Sequence, residues 1–458
     1  MKHLILGAGP AGVIAAETIR KHAPADEIVI VGDEREAPYS RMAIPYLLMG
    51  NIQEPGTHLR HGGDHYQRLG ITLHHGRAVK LDSAARTVTL DDGSTLAFDR
   101  LLIATGSSTV KPPIPGADGP GVHPCWTLED ARAIMKLARP GAQVLQMGAG
   151  FIGCIIMEAL AARGVKLSVV EMGDRMVPRM MGPTAGGMIK DWCQAKGVTV
   201  YTGARVEAIE RPAAAQQSGH GGGGLLGKIA AAVGLGGDKP EARPEPHGAA
   251  MNVRLSTGQT VAADLVISAV GVRPNIGFLE HSGVRCLVGV LTDEHLQTNV
   301  PGIYAAGDCA EAFDKIAGKT IVSAIQPNAA EQARVAALNM VGKPIELRGV
   351  TQINVLDTLG LISASFGNWE GVAGGQHVEL TEREAGGGGR HLSLQFADDR
   401  LIGCNAIGWT QHVGVMRGLV EGQVALGPWK DKLLHDPTRL MEAYLDCAQA
   451  QASFAHTR

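Results

Sequence analysis

The chain has no run of about 18 apolar residues, so no membrane-spanning helix is expected. It has no surplus of one charge: 42 Lys and Arg against 45 Asp and Glu leave a net −3. Binding to nucleic acid rests on a basic face, so no nucleic-acid partner is expected. It has no Cys-x-x-Cys pair. Its seven cysteines (Cys125, Cys154, Cys193, Cys286, Cys309, Cys404 and Cys447) are odd in number and scattered. A disulfide framework, a four-thiolate metal site and a local redox dithiol are therefore not expected. The 17 histidines fall into no metal-ligand spacing, and no metal is expected. The first residues lack the apolar region and cleavage site of a signal peptide, which makes a reducing cytoplasm the expected location.

Hydrophobic residues make up 45 %, a normal value for a folded chain, and 458 residues suggest two to four domains. Glycine is in excess, at 61 residues, without a collagen period. Much of it sits in turns and loops. Residues 2–6 read as a buried strand, followed by Gly7-Ala-Gly9-Pro-Ala-Gly12, a helix over 11–22 and a strand over 27–31. Residues 143–147, Gly148-Ala-Gly150-Phe-Ile-Gly153, a helix to about 163 and a strand over 166–170 repeat the pattern. In a G-x-G-x-x-G loop the first glycine permits the turn and the second lets backbone approach a pyrophosphate. The third lets helix pack on strand, and the helix N-terminus offers free N–H groups to the phosphates. An acidic residue about 20 positions on accepts hydrogen bonds from the adenosine ribose. Glu34, with Asp33 as its rival, lies there in the first unit, and Glu171 ends the strand of the second. A carboxylate at that point repels a 2′-phosphate, so the second site is expected to take NADH rather than NADPH.

Two dinucleotides in one chain imply electron transfer between them. Ala104-Thr105-Gly106 and the segment 298–308, ending in Gly307-Asp308, point to FAD in the first site, because a strand ending in Gly-Asp brings backbone N–H and a carboxylate to a ribityl or pyrophosphate group. Shorter strands are expected at 87–90 and 100–104, with a hairpin over 87–98, and a strand-like segment at 199–209.

On five ordered motifs the sequence resembles the FAD-dependent pyridine-nucleotide oxidoreductases of the glutathione-reductase-like superfamily. These are GAGPAG at 7–12, APYSR at 37–41, ATG at 104–106, GAGFIG at 148–153 and YAAGDCAE at 304–311. Over about residues 1–340 it is most similar to the NADH-dependent ferredoxin and rubredoxin reductases and to the flavoprotein part of NADH-dependent nitrite reductase. The resemblance implies an α/β fold with two Rossmann-like three-layer domains and a C-terminal α+β domain. The FAD domain would comprise 1–112 and 276–345, and the NAD domain 113–275. Residues 346–458 would form an acceptor or dimerisation domain. It further implies FAD contacts by Gly7, Gly9, Gly12, Glu34, Arg41, Thr105, Gly106 and Asp308, and NAD contacts by Gly148, Gly150, Gly153, Glu171 and Gly271. Residues 270–275 fit the nicotinamide side, and 326–334 the helix whose N-terminal end approaches the flavin.

The departures matter as much. The stretch 39–48, where disulfide reductases of the superfamily carry two cysteines and the related peroxidases one, has none. Many relatives pair a Lys after the Tyr-x-Arg with a Glu after the second glycine loop. Those positions are Tyr46 and Ile155 here, which implies a more apolar flavin face with Tyr46 near the isoalloxazine and Ile155 beneath it. Cys309 and Cys154 are expected to be buried residues at helix starts. His74 and His75 are expected on the surface or in a hairpin, and the 435–438 turn should cap a helix. Trp409 and His412 are assigned to core packing ahead of an acceptor site. In 346–458, strands are expected at 350–356, 361–366, 391–396 and 401–407, with helices at about 410–425 and 438–450.

The insertion at 211–250 holds ten Gly and four Pro and reads as a loop on a hairpin tip. Its apolar part, 225–235, offers an alternative contact with a membrane surface or a partner. The expected activity is hydride transfer from NADH to flavin. Electrons then leave to an external acceptor, which is a redox protein, a quinone-like molecule or a partner subunit; a homodimer is left open. Rival readings are a persulfide or CoA-disulfide reductase, an NADH-binding scaffold or sensor, and a nitrite-reducing assembly that needs another chain.

Overall fold

The computed structural model describes residues 1–212, 250–314, 318–350, 352–384 and 386–455, with side chains to 447. Nearly all of the insertion, including 225–235, lies outside the described residues.

The first sheet is fully parallel, in the order Ile303–Ala305, Arg100–Ile103, Lys2–Leu6, Glu27–Gly32, Ile71–His75. Its inner strands are near-continuous apolar runs because both faces are covered. Helices Pro10–His22 and Gln326–Met340 pack on one face. On the other lies an antiparallel meander of Ala78–Asp82, Thr87–Leu90 and Thr95–Ala97, joined to the sheet through Leu81, Val88 and Phe98. The second sheet repeats the plan: Thr199–Thr202, Lys166–Glu171, Gln143–Met147, Leu265–Ser268, Val122–Pro124, again all parallel. Its helices are Phe151–Ala162 and Pro183–Ala195, and its meander is Val206–Glu210, Met251–Leu255 and Thr260–Ala263. The expected single segment 199–209 is thus two strands in two sheets. The break falls at Gly203, whose φ of +64° turns the chain.

The third unit is a five-stranded antiparallel sheet, in the order Ile353–Thr358, Leu361–Gly367, Arg400–Ile407, Gly389–Ala397, Gln376–Arg383, with helices Val413–Glu421, Trp429–His435 and Leu440–Ala455. The strand Gln376–Arg383 and the helix Trp429–His435 are absent from the sequence reading. The first is a mostly exposed edge strand whose polar residues give no alternating apolar signal. The 435–438 segment is a capping turn, with Asp436 Oδ1 accepting from Thr438 N (3.1 Å) and Oγ1 (2.6 Å).

One correction concerns a single residue. Cys309 opens no helix: it sits in a turn before the strand Ala310–Asp314, buried, with its Sγ 3.4 Å from Ile103 O. Of the two alternatives for His74 and His75 the surface one fits: they end a parallel strand, His74 half-buried and His75 exposed.

Arg163 locks the short helix Ile44–Leu48, which borders the cleft described below, to the second unit. Its guanidinium donates to Leu48 O (2.9 Å), Met135 O (2.9 Å) and Ala138 O (2.8 Å). Arg163→Met leaves these carbonyls without that donor. The expected loss of stability is about 2–4 kcal/mol, read as a lowered thermal midpoint; an unchanged midpoint would show that the lock is inert.

Candidate active site

Each glycine loop hangs between the carboxyl end of one strand and the start of a helix, as the parallel sheet requires. Gly7 N donates to Val31 O (2.7 Å) and Gly148 N to Val170 O (2.8 Å), so each loop is pinned to the neighbouring strand. A Cβ on Gly7 would lie 1.9 Å from Ala104 O, and one on Gly12 1.9 Å from Gly7 O. In the second loop the corresponding approaches are Gly148 to Ala269 O, 2.5 Å, and Gly153 to Gly148 O, 2.6 Å. Gly9 and Gly150 meet nothing within 4 Å. Both loops therefore keep one bare backbone face open at a helix N-terminus, the shape a pyrophosphate needs.

A cleft with about 1470 Å³ between its walls, part of it open to solvent, runs from the first loop. Glu34, Arg41, Thr105, Gly106 and Asp308 line it, with Ile155 and neighbouring apolar residues of the second unit's helix on the far wall. Tyr46 is not in that lining and is 53 % exposed. Gly148, Gly150, Glu171 and Gly271 lie outside the lining as well. Residues in the lining that the sequence reading did not mark as site residues include Cys125, Trp126 and Ser107. They come from the second unit and from a strand edge, so no local motif marks them.

The charged groups are held. Glu34 Oε2 accepts from Tyr39 Oη (2.7 Å) and Oε1 from Arg41 Nη2 (2.8 Å). The rival Asp33 pairs with Arg77 at 3.1 Å. Arg41 also donates to Trp126 O (2.7 Å), with its guanidinium carbon 5.2 Å from the Trp126 ring centroid. Asp308 accepts from Ser107 Oγ (3.0 Å). Burial pushes its carboxyl above the usual range, against the opposing pull of that bond and of Arg41. In the second unit Glu171 accepts from Ala149 N (2.7 Å) and Gly173 N (2.8 Å), so it braces the glycine loop itself. The segment 272–275 lies outside the lining but is tied to Thr105, whose Oγ1 donates to Asn275 O (2.8 Å). Val272–Pro274 pairs antiparallel with Ser107–Thr109.

All seven cysteines have thiols pushed up by burial, Cys125 to about 12. Trp409 and His412 are outside the cleft lining. Glu294, His295 and Glu346 bring potential metal-ligand atoms within 4.8 Å of one another, through tertiary contacts that sequence spacing does not reveal. Among the described residues no helix is long and apolar enough to cross a membrane.

A family profile described as pyridine nucleotide-disulphide oxidoreductase matches residues 1–337. The chain belongs to that family. Like other pyridine nucleotide-disulphide oxidoreductases it is an NAD(P)H-dependent oxidoreductase, and the family implies a flavin. The chain is 29 % identical over 440 residues to the NADH-dependent phenylglyoxylate dehydrogenase subunit epsilon of Aromatoleum evansii, with 95 % of each chain covered. It is 30 % identical over 431 residues to an NADH oxidase of Methanocaldococcus jannaschii, covering 89 % of this chain and 88 % of that one. Putidaredoxin reductase, solved in covalent complex with putidaredoxin, superposes with a TM-score of 0.81 over 98 % of this chain and 99 % of that chain. At 22 % identity that likeness speaks for the fold alone.

The glycine geometry separates two roles. Gly12→Ala is expected to lower stability by several kcal/mol, since its Cβ would collide with backbone. Gly9→Ala is expected to leave the thermal midpoint within about 2 °C, because that side is open. Equal midpoints for the two variants would refute this division.

Proposed function

We propose that the first glycine loop holds FAD, the second holds NADH, and the enzyme passes electrons from NADH through the flavin to an external acceptor. The observation that carries this is one cleft shared by both units. It begins at Gly7 and Gly9 and ends on Phe151, Ile152 and Ile155, the first turns of the helix that rises from the second glycine loop. Donor and prosthetic group held by these two loops meet without either having to cross the protein.

The residues present fit FAD. The bare face at Gly9 admits a pyrophosphate that any side chain would obstruct. The helix Pro10–His22 turns its free N–H groups there. Thr105, Gly106 and Asp308 supply polar groups along the cleft, and Glu34, freed from Tyr39 and Arg41, offers a ribose acceptor. FAD held there would supply a two-electron carrier, able to accept hydride from a reduced nicotinamide and to release the electrons to an acceptor. The protein needs no acid or base for that transfer. It contributes orientation and a water-poor wall, effects that reach several kcal/mol of barrier. Ile155 contributes to that wall, and Tyr46, outside the lining and exposed, is given no part in it.

The acceptor is external: a redox protein, a quinone-like molecule or a partner subunit. The cysteine that lines the cleft is Cys125, whose thiol burial pushes up to about 12, so it stays protonated at neutral pH, which disfavours persulfide or CoA-disulfide chemistry. The relatives bearing NADH in their names, and the Glu171 carboxylate, support NADH over NADPH.

The decisive experiment is anaerobic stopped-flow reduction of the purified yellow protein. NADH is expected to bleach the flavin at or above ~10 s⁻¹, a common turnover. Far slower bleaching would favour the sensor reading, and a colourless protein unable to take up flavin would overturn the proposal. Glu171→Gln is expected to narrow the preference for NADH over NADPH about tenfold by removing one like charge. Cys125→Ala is expected to reduce turnover by no more than about threefold, since a thiol with a raised pKa is a poor nucleophile. A hundredfold loss would return the thiol reading.

A further inference from the structure

Between Glu171 and the helix Pro183–Ala195 runs a strap of eleven residues, 172–182, that lies against the second glycine loop. Ala149, the middle residue of Gly148-Ala149-Gly150, has both backbone groups taken from this side. Its N–H donates to Glu171 Oε2 (2.7 Å), and its carbonyl accepts from Val177 N (2.9 Å). Val177 makes that bond from φ +48°, the left-handed region, which a β-branched residue strongly avoids. It is also buried, at 1 % exposure, beside Met176 and Met181. A conformation of this kind persists only where the surroundings impose it, and such residues gather at functional sites.

The surroundings include a residue from a different unit. Asn405, in the strand Arg400–Ile407 of the C-terminal sheet, reaches across with a side chain only 2 % exposed. Its Oδ1 accepts from Gly182 N (2.8 Å) and its Nδ2 donates to Met180 O (2.9 Å). These bonds hold the far end of the strap, three to five residues beyond Val177. The same helix is tied to the same sheet a second time, by Trp192 Nε1 on Thr358 O and Leu359 O, each at 3.1 Å. A continuous hydrogen-bonded chain therefore leads from Asn405 to Met180 O, from Met180 N to Val177 O (2.9 Å) and from Val177 N to Ala149 O in the second glycine loop.

We propose that Asn405 is a positioning residue for the nicotinamide nucleotide: by pinning the 172–182 strap it keeps Val177 in its left-handed conformation against Ala149 and so holds the second glycine loop open for the pyrophosphate. The C-terminal domain thereby sets nucleotide affinity without touching the nucleotide. This rests on the reading of that loop as the NADH cradle. It adds that an event on the C-terminal domain, such as docking of an acceptor, alters NADH affinity, and that NADH reciprocally alters that docking.

The test uses the flavin-loaded, full-length protein and measures NADH affinity from the concentration dependence of anaerobic flavin reduction, and NAD⁺ affinity by calorimetry. Asn405→Ala is expected to weaken both about tenfold, the scale of two lost hydrogen bonds. Flavin content, flavin absorption and the reduction rate at saturating NADH should stay within about twofold. Because the variant could also act by loosening the fold, the deciding variant is Asn405→Ala combined with Val177→Gly. Glycine occupies φ +48° freely and keeps the N–H that bonds Ala149, so the strap no longer tends to relax away. Affinity should return to within about threefold of the parent, even though the double variant loses buried Val177 side-chain packing and is expected to melt lower. Unchanged affinity in Asn405→Ala, or further loss in the double variant, would overturn the proposal. If the parent protein reduces its flavin with NADH while Asn405→Ala matches it, only this inference falls. If the parent binds no nicotinamide nucleotide, the reading of the second loop falls and takes this one with it.

Discussion

Three hydrogen bonds at one joint tie the two parallel-sheet units to each other. Thr105 Oγ1 donates to Asn275 O (2.8 Å), Asn275 Nδ2 donates to Thr105 O (2.9 Å), and Asn275 N donates to Gly106 O (2.9 Å). At this point the chain leaves the first unit near Gly106 and returns from the second near Pro274, so the joint closes a long excursion with a local lock. Backbone groups paired away from water are hard to dislodge, since each lost partner leaves a desolvated donor or acceptor. The cleft needs that rigidity. Its near wall belongs to the first glycine loop and its far wall to the helix of the second, and a shift of about 1 Å between reacting groups is enough to slow a transfer severely.

Long polar side chains reinforce a hydrophobic core that itself joins all three units, with Leu47 and Leu48 of the first, Met157 and Leu160 of the second and Leu356 and Ile407 of the third in one buried cluster. Arg163 gathers three carbonyl oxygens from two helices. Arg132, from the helix Leu128–Leu137, reaches Glu54 in a two-pronged bond (2.9 and 2.7 Å) and Glu36 at 2.8 Å. Arg41 is stacked on Trp126 and tied to its carbonyl. Each brings a residue of the second unit against the 34–57 excursion of the first. Planar guanidinium groups with several fixed donors suit this task better than lysine would.

The absence of a cysteine in 39–48 and the apolar far wall are consistent with each other. A flavin enzyme that relays electrons through a thiol needs that thiol lowered in pKa and beside the ring. Here every thiol is raised by burial, and the wall facing the cleft is built from isoleucine and phenylalanine. Met42, which lines the cleft, is about half exposed.

The glycine loops, the alternation of strand and helix, and the Thr105–Gly106 and Gly307–Asp308 strand ends were legible in the sequence because each is a local constraint. A parallel strand feeding a helix through a tight turn needs glycine at fixed spacing, whatever the remainder of the protein does. Glu171 at its strand end belongs to the same class. What the sequence could not disclose was anything that depends on two distant segments meeting. Cys125, Trp126 and Phe151 enter the cleft only because the second unit folds over the first. Tyr46, aligned by motif with a flavin-facing position, turns outward, since its direction is decided by the packing of Ile44, Leu47 and Leu48 on the second unit. Cys309 precedes a strand rather than a helix because Ala310–Asp314 pairs with Val290–Leu291 on one side and Lys319–Val322 on the other. The grip of Asn405 on a strap some 220 residues earlier in the chain carries no sequence signal at all: hydrogen bonds across an interface depend on where two surfaces come to rest, and that is settled by packing rather than by spacing along the chain.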